Sequence, residues 1–556
     1  MVGSERPRAK KARAKLMSFA EPDINEQPEQ HGPGSLGRMV RNSSINAVGT
    51  VVNLALNFAA VFILARRLGK EALGLYFAIF TVALVVYFIL ESGITTMLTR
   101  RIAVAPQHLK RHVAEATGLL AVAAAGAVLL MGLMGLGWAQ WDSLAGKTQA
   151  VGGLSHASLA MIFVVGGLAC AGRLMLEFYA AVFRGLERFE YENIARAIQA
   201  ALFAVLVIVA VHPPESVALY RAVWILVLSN LVAGVYIAVA LQRSCHCLGF
   251  TLNRRVLADW LPESLPLGVG DLVQRLTWQV DTVMLSWLRP LADVGVYSIA
   301  YRPLQPLNLV PRTVLSVTFP EFSRLAETSR EALGRAFARS IRLLWIVSLP
   351  ISVVVCVCAE PLVVIPAGAE YRDAATPLRF LIWIVNLSFI STQFRFLFTA
   401  LGRQRTFTRL VVPILILKIV VEIVLVHFWG YYGACAGSFL ADMTLVVAGL
   451  AVCRRLGLGG LEVGLMLRAI LPAALLALVL WTVSGAPWPV LLIVAALSTF
   501  GYFALCVVIG AVPRAELARL TEVVRSMAAA RRARNTPQEP LSLRPATSSV
   551  ESERAG

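Results

Sequence analysis

The sequence predicts an all-α, polytopic membrane protein of about fourteen transmembrane helices in two pseudo-symmetric bundles. Three observations lead there. The 556 residues are 58% apolar and only 15% charged, with a mean hydropathy of +0.71, where soluble domains carry roughly 25% charged residues. The apolar residues gather into runs of about 20, the length that crosses a bilayer as a helix. The basic residues collect between those runs and in the tails, on one side of the predicted membrane.

The runs place spans at 44–65, 73–95, 114–138, 158–181, 193–212, 217–241, 262–287, 294–317, 340–359, 376–398, 408–429, 432–453, 467–484 and 489–512. The seventh and eighth are interrupted by charges. With the amino terminus inside, 36 Lys and Arg residues fall in the tails and inner loops, six in the outer loops and nine within spans. That bias predicts an even number of spans and two cytoplasmic termini. Arg66 and Arg67 run against it locally. The net charge of +18 therefore reads as topology and attraction to anionic lipid headgroups, not as nucleic acid binding. The longest outer loops, from Trp141 to Ala157 and from Glu360 to Ala375, are too short for an extracytoplasmic domain. With no phosphate-binding glycine loop and no carboxylates paired for glycosyl transfer, an enzyme is not expected. Six of the eight cysteines lie in or beside apolar runs, where they act as small hydrophobes. Cys245-His246-Cys247 lacks a second ligand pair for zinc. Neither disulfides nor a metal are expected.

The chain also carries a repeat. Residues 68–76 read LGKEALGLY and residues 288–297 read LRPLADVGVY, a Gly-x-Tyr offset of 221 residues. Each precedes an apolar span ending in Arg-hydrophobe-Ala, at Arg101 and at Arg324. Inside-to-outside sense is kept, so the repeat is parallel. It divides the chain into a cytoplasmic tail (1–40), a six-span bundle (41–250), a second six-span bundle (251–456), two additional spans (457–512) and a basic cytoplasmic tail (513–556).

These residues resemble a family. Leu68–Tyr76 with Glu91-Ser92-Gly93 and Thr99-Arg100-Arg101-Ile102-Ala103 is similar to the second span of polysaccharide flippases of the O-antigen (Wzx) type. So are Val280-Asp281-Thr282-Val283-Met284-Leu285, Val294–Arg302 and Phe319-Pro320-Glu321-Phe322-Ser323, and the loop Arg184–Phe189. The resemblance covers most of residues 40–510. It implies a fold of the MATE type, shared with drug/sodium antiporters and lipid II flippases. It implies alternating access for a polyprenyl-diphosphate-linked glycan at the bacterial inner membrane, with a polysaccharide polymerase as a further partner. Lipid II flippases typically carry a charged pair in the first span. Here no charge falls between Ser44 and Ala65, so that reading, and that of a cation or drug antiporter, stand second.

Ionisable groups inside a bilayer are expensive and need a partner or a wet cavity. Arg173 with Glu177, Asp271 with Arg275 and Lys418 with Glu422 stand four apart and can neutralise one another on one helix face. Arg302, Arg312 and Arg395 have no acid at that spacing. With Gln305 and Asn308, Arg312 makes a polar stripe on span eight, which either packs on a polar neighbour or lines a lumen. In the functional reading Arg173, Arg275, Arg302, Arg312 and Arg395 form a cationic site for the diphosphate, because guanidinium binds phosphate bidentately. Asn46, Asn53 and Asn57, with Thr50, share one face of span one, suited to sugar hydroxyls or to contacts between helices. Trp278, Tyr297, Tyr301 and Trp383 could stack on sugars or sit at the interface. Glu91, Asp271, Asp281 and Asp442 are the candidate coupling acids, for a proton or sodium. Arg221, Arg342 and Arg379, near span ends, are expected to reach toward water.

Overall fold

A computed structural model describes residues 33–144, 155–212 and 215–512. The predicted tails, apart from residues 33–40, lie outside these, as do the side chains of Asn46 and Asp271. The described residues form helices and connecting turns, with no strand. The α-helices are α1 (Pro33–Glu91), α2 (Ile94–Val104), α3 (Leu109–Leu144), α4 (His156–Gly185), α5 (Phe189–Ala210), α6 (Glu215–Cys245), α7 (Arg254–Thr277), α8 (Val280–Leu288), α9 (Leu291–Tyr301), α10 (Leu309–Thr328), α11 (Arg330–Val357), α12 (Ala359–Ala367), α13 (Ala375–Ala400), α14 (Gln404–Trp429), α15 (Tyr431–Arg455), α16 (Val463–Arg468), α17 (Ile470–Thr482) and α18 (Trp488–Val508).

Eleven helical stretches are long and apolar enough to cross a membrane. The first runs 43 residues, Gly49–Glu91, about 65 Å at 1.5 Å per residue and twice a hydrocarbon core of about 30 Å. It is interrupted at Gly69, where φ is 69° and ψ is 172°, a conformation that glycine alone adopts cheaply. One stretch thus holds the first two predicted spans. The seventh and eighth predicted spans are absent from the eleven because their backbone is broken. Span seven splits into α7 and α8 at Trp278-Gln279. Span eight becomes α9, a 3-10 segment over Arg302–Asn308 and α10. Pro303 and Pro306 each lack the amide an α-helix needs, which accounts for the change of geometry. A count near fourteen is consistent with this architecture.

By contacts the chain forms two compact units. One comprises Met1–Arg302, Val363–Ala374 and Val411–Gly437; the other comprises Pro303–Leu362, Ala375–Leu410 and Ser438–Gly556. In the first, α4 packs on α3 and α6, and α1 packs on α5 and α9. In the second, α11 packs on α13 and α17, and α17 on α18. There Leu349, Leu476, Leu491 and Tyr502 share one buried cluster, and the Tyr502 hydroxyl donates to the Ile346 carbonyl at 3.0 Å. Only 22% of the membrane-length window of α18 is buried, so Leu497, Phe500 and Val508 present an apolar face suited to lipid.

The structure gives Arg66 and Arg67, which run against the predicted charge bias, a local role. Arg67 donates to the carbonyls of Val207, Ile208 and Val211, at distances of 3.0, 2.5 and 2.7 Å, and so closes the carboxyl end of α5. Arg66 donates to Pro366 at 2.8 Å and to Ile365, closing α12. Both satisfy carbonyls that a helix end leaves without partners. Arg342 departs from its expected place. It is 2% exposed and ion-paired with Glu462, so it does not reach to water.

The repeat is visible as a contact. A methyl group on Gly74 would strike the Leu291 carbonyl oxygen and lie 3.1 Å from the Gly295 amide nitrogen. One on Gly295 would strike the Lys70 carbonyl oxygen and lie 3.3 Å from the Gly74 amide nitrogen. Lys70 and Leu291 stand at the same offset as Gly74 and Gly295, so the two contacts exchange under the repeat. Such reciprocity is the signature of a local two-fold relation.

Candidate functional site

Polar groups of the first unit gather around one turn of α1, from Tyr87 to Glu91. Glu91 is buried, accepts a hydrogen bond from the Thr95 hydroxyl and pairs with Arg275 of α7 at 3.2 Å. Spacing offers Asp271 to Arg275, but the Asp271 side chain lies outside the described residues; the partner found among them is 184 residues away. On α4, Arg173 pairs with Glu177 at 3.5 Å, as its spacing predicts. Glu177, only 6% exposed, is held more closely by Arg196 of α5, at 2.9 Å, and lies 3.8 Å from Arg184. Arg184 and Arg196 also share Glu192, at 3.1 and 2.9 Å. Arg173 is therefore a supernumerary cation on a carboxylate that others already satisfy. Its guanidinium lies 5.8 Å from the Tyr87 ring, and that of Arg275 lies 5.2 Å from the neighbouring Phe88 ring. Tyr87 stands within electrostatic reach of both ion pairs. Both arginine side chains remain partly open, at 34% and 42% exposure. Two partly exposed arginine side chains beside aromatic faces suit an anionic, phosphate-bearing ligand.

Arg302 stands apart from that pair. Its guanidinium lies 4.5 Å over the Phe77 ring, ten residues before Tyr87 on α1 and so about 15 Å away along the helix. Arg312, exposed on α10, and Arg395, 4.8 Å over the Phe396 ring, belong to the second unit. Gln305 and Asn308 fall in the 3-10 segment, where the Asn308 amide donates to the Gln305 carbonyl at 3.3 Å. They do not form one α-helical stripe with Arg312, because the prolines change the helical repeat between them. On α1, the Asn57 amide donates to the Asn53 side-chain and main-chain oxygens, at 2.6 and 2.9 Å. That pair is in part satisfied internally.

A second buried cluster was not legible as a unit in the sequence. The Lys418 ammonium of α14 lies 2.5 Å from Asp281 Oδ1, 2.7 Å from the Thr277 carbonyl at the carboxyl end of α7, and 3.6 Å from Glu422 Oε1. Lys418 thus sits closer to Asp281, 137 positions earlier, than to its helical neighbour. The Tyr297 hydroxyl donates to Asp281 Oδ2 at 2.6 Å. Tyr297 is 2% exposed, so it is neither a sugar-stacking nor an interfacial aromatic here. Trp278 and Tyr301 meet edge to face at 6.4 Å. Among the other candidate acids, Asp442 lies 3.4 Å from the donating Ser391 hydroxyl.

At the end of α6, the Cys-His-Cys segment holds one half-buried and one buried thiol. Burial, and then the neighbouring Cys245, push the Cys247 thiol up to about 11. With Cys247 only 2% exposed, iodoacetamide at pH 8 is expected to modify Cys245 well before Cys247. Mass spectrometry of the shared peptide measures the order, and equal rates would contradict it.

Fold and site together define a multi-pass helical membrane protein with an arginine-bearing interior. The chain matches the polysaccharide biosynthesis protein family over residues 39–326, more than half its length, and belongs to that family. It is 21% identical to a putative O-antigen transporter of Shigella flexneri over 57% of this chain and 73% of that one. It is 25% identical to a probable flippase, AglR, of Haloferax volcanii over 40% of this chain and 44% of that one. Its fold is similar to that of the lipid II flippase MurJ in an inward closed conformation. That likeness has a TM-score of 0.66 at 10% identity and covers 83% of this chain and 98% of that one.

Proposed function

We propose that the chain is a flippase that moves a polyprenyl-diphosphate-linked oligosaccharide from the cytoplasmic to the outer leaflet of the bacterial inner membrane, for surface polysaccharide synthesis. The prenyl tail stays in lipid while the diphosphate and sugars cross by alternating access between the two six-span bundles. Both termini are cytoplasmic, and a polysaccharide polymerase consumes the product. The family membership and the named O-antigen transporter support the substrate class. The observation that carries the reading is the pair of partly exposed arginine side chains, Arg173 and Arg275, beside Tyr87 and Phe88. The Shigella flexneri relative favours an O-antigen-type glycan over lipid II, and the MurJ likeness speaks to fold alone.

The test is complementation of a strain lacking its O-antigen flippase, with surface polysaccharide as the readout. Arg173→Ala is the informative variant, because Arg196 and Arg184 still hold Glu177 after the change. A lost charged hydrogen bond of about 1.5–3 kcal/mol corresponds to a drop of roughly ten- to a hundredfold at equal expression. A variant as active as the wild type would remove the cationic site from the mechanism. Rescue of a strain lacking its lipid II flippase, and not of this one, would move the substrate to lipid II.

A further inference from the structure

The mechanism above makes no use of the Asp281, Lys418 and Glu422 cluster. Its members come from separate elements of the first unit: Asp281 from α8, Tyr297 from α9, Lys418 and Glu422 from α14, with Cys435 of α15 nearby. From α7 it receives the Thr277 carbonyl. Lys418 is 4% exposed and Glu422 fully buried. Among the described residues two carboxylates face one ammonium, so with both acids ionised these three groups carry one net negative charge away from water. Such a charge is costly unless neutralised. Neither Glu422 oxygen has a close hydrogen-bond partner among the described residues, and the Lys418 ammonium stands 3.6 Å from Oε1. Protonated, Glu422 can turn its hydroxyl toward Asp281, since both carboxyls flank the Lys418 ammonium, at 3.6 and 2.5 Å. Gly437 of α15 leaves room for this arrangement, since a methyl group there would strike the Glu422 side chain.

We propose that Glu422, facing Asp281, is an exchangeable proton site, with Lys418 as its built-in counter-cation. With the proton in place the cluster is neutral, and Lys418 stays on Asp281 and Thr277. When the proton leaves, Glu422 repels Asp281 and draws the ammonium toward itself. That weakens the Lys418 anchor on the end of α7, at the break between α7 and α8. Proton occupancy then biases the two arrangements of a broken helix, the kind of element a transport cycle turns on. The oxygens that could hold a sodium ion are instead arrayed around the lysine nitrogen, which favours a proton as the exchanging ion. The coupling of this proton to substrate movement rests on the flippase reading; the site itself does not.

Infrared difference spectroscopy of the full chain in lipid nanodiscs, between acid and alkaline pH, tests the site without substrate. The expected result is a carboxylic-acid C=O band that disappears as pH rises, is absent in Glu422→Gln and is displaced in Glu422→Asp. Glutamine keeps the size and can still donate to Asp281, so it is expected to fold. A band unchanged across the pH range, a pH-dependent band that survives in Glu422→Gln, or a band moved by sodium chloride at fixed pH would each overturn the proposal. A titrating Glu422 band with failed complementation by the wild type would keep the proton site and count against the flippase. Restored polysaccharide without that band would do the reverse.

Discussion

Replacing Lys418 with methionine is expected to destabilise the protein by about 3–5 kcal/mol, the range for stripping one partner from a buried ion pair. The size follows from what remains. Asp281 keeps the Tyr297 hydroxyl but loses an ammonium 2.5 Å away, and its side chain is buried. The Thr277 carbonyl also loses a donor, at the carboxyl end of α7. Adding Asp281→Asn to Lys418→Met is expected to restore most of the loss, since removing both charges removes the uncompensated one. Thermal unfolding of the single and double variants in one detergent measures both effects. A Lys418→Met variant within about 1 kcal/mol of the wild type, or a double variant no better than the single, would show that this contact carries no paired charge.

Which contacts could be read in advance depended on how far along the chain they reach. The Arg173 and Glu177 pair was legible because a helix brings residues four apart together whatever surrounds it. The contacts of Arg275 with Glu91 and of Lys418 with Asp281 were not, because they join separate helices, 184 and 137 positions apart. No periodicity encodes such distances. The spans were legible from hydropathy because lipid demands the same solution of each one. The breaks in spans seven and eight followed a different signal. Pro303 and Pro306 announced the second break, yet an apolar run with charges at helical intervals read as one helix. The residues of the polar stripe inferred there therefore fall in two geometries, Gln305 and Asn308 in the 3-10 segment and Arg312 in α10. Arg66 and Arg67 were visible as exceptions to the charge bias, and only the structure supplied the helix ends they close.

The repeat was legible as a sequence offset, and the structure turns it into an energetic statement. Gly74→Ala is expected to lower stability by about 1–3 kcal/mol, the usual cost of overpacking, although alanine favours a helix by about 0.8–1 kcal/mol over glycine. The steric term wins because the new methyl group meets main-chain atoms of Leu291 and Gly295, which cannot swing aside as a side chain can. Gly295→Ala is expected to cost a similar amount, because its methyl group meets Lys70 and Gly74 in the equivalent way. The double variant then carries the sharper information. Both methyl groups press apart the same two helices, α1 and α9, so a separation that relieves one relieves the other. The combined loss is expected to fall clearly short of the sum, a coupling of the kind found between residues in direct contact. Unfolding of the three variants measured side by side decides it. Strict additivity would mean that the two glycines serve separate contacts, and a gain in stability from either single change would mean that the helices part without cost.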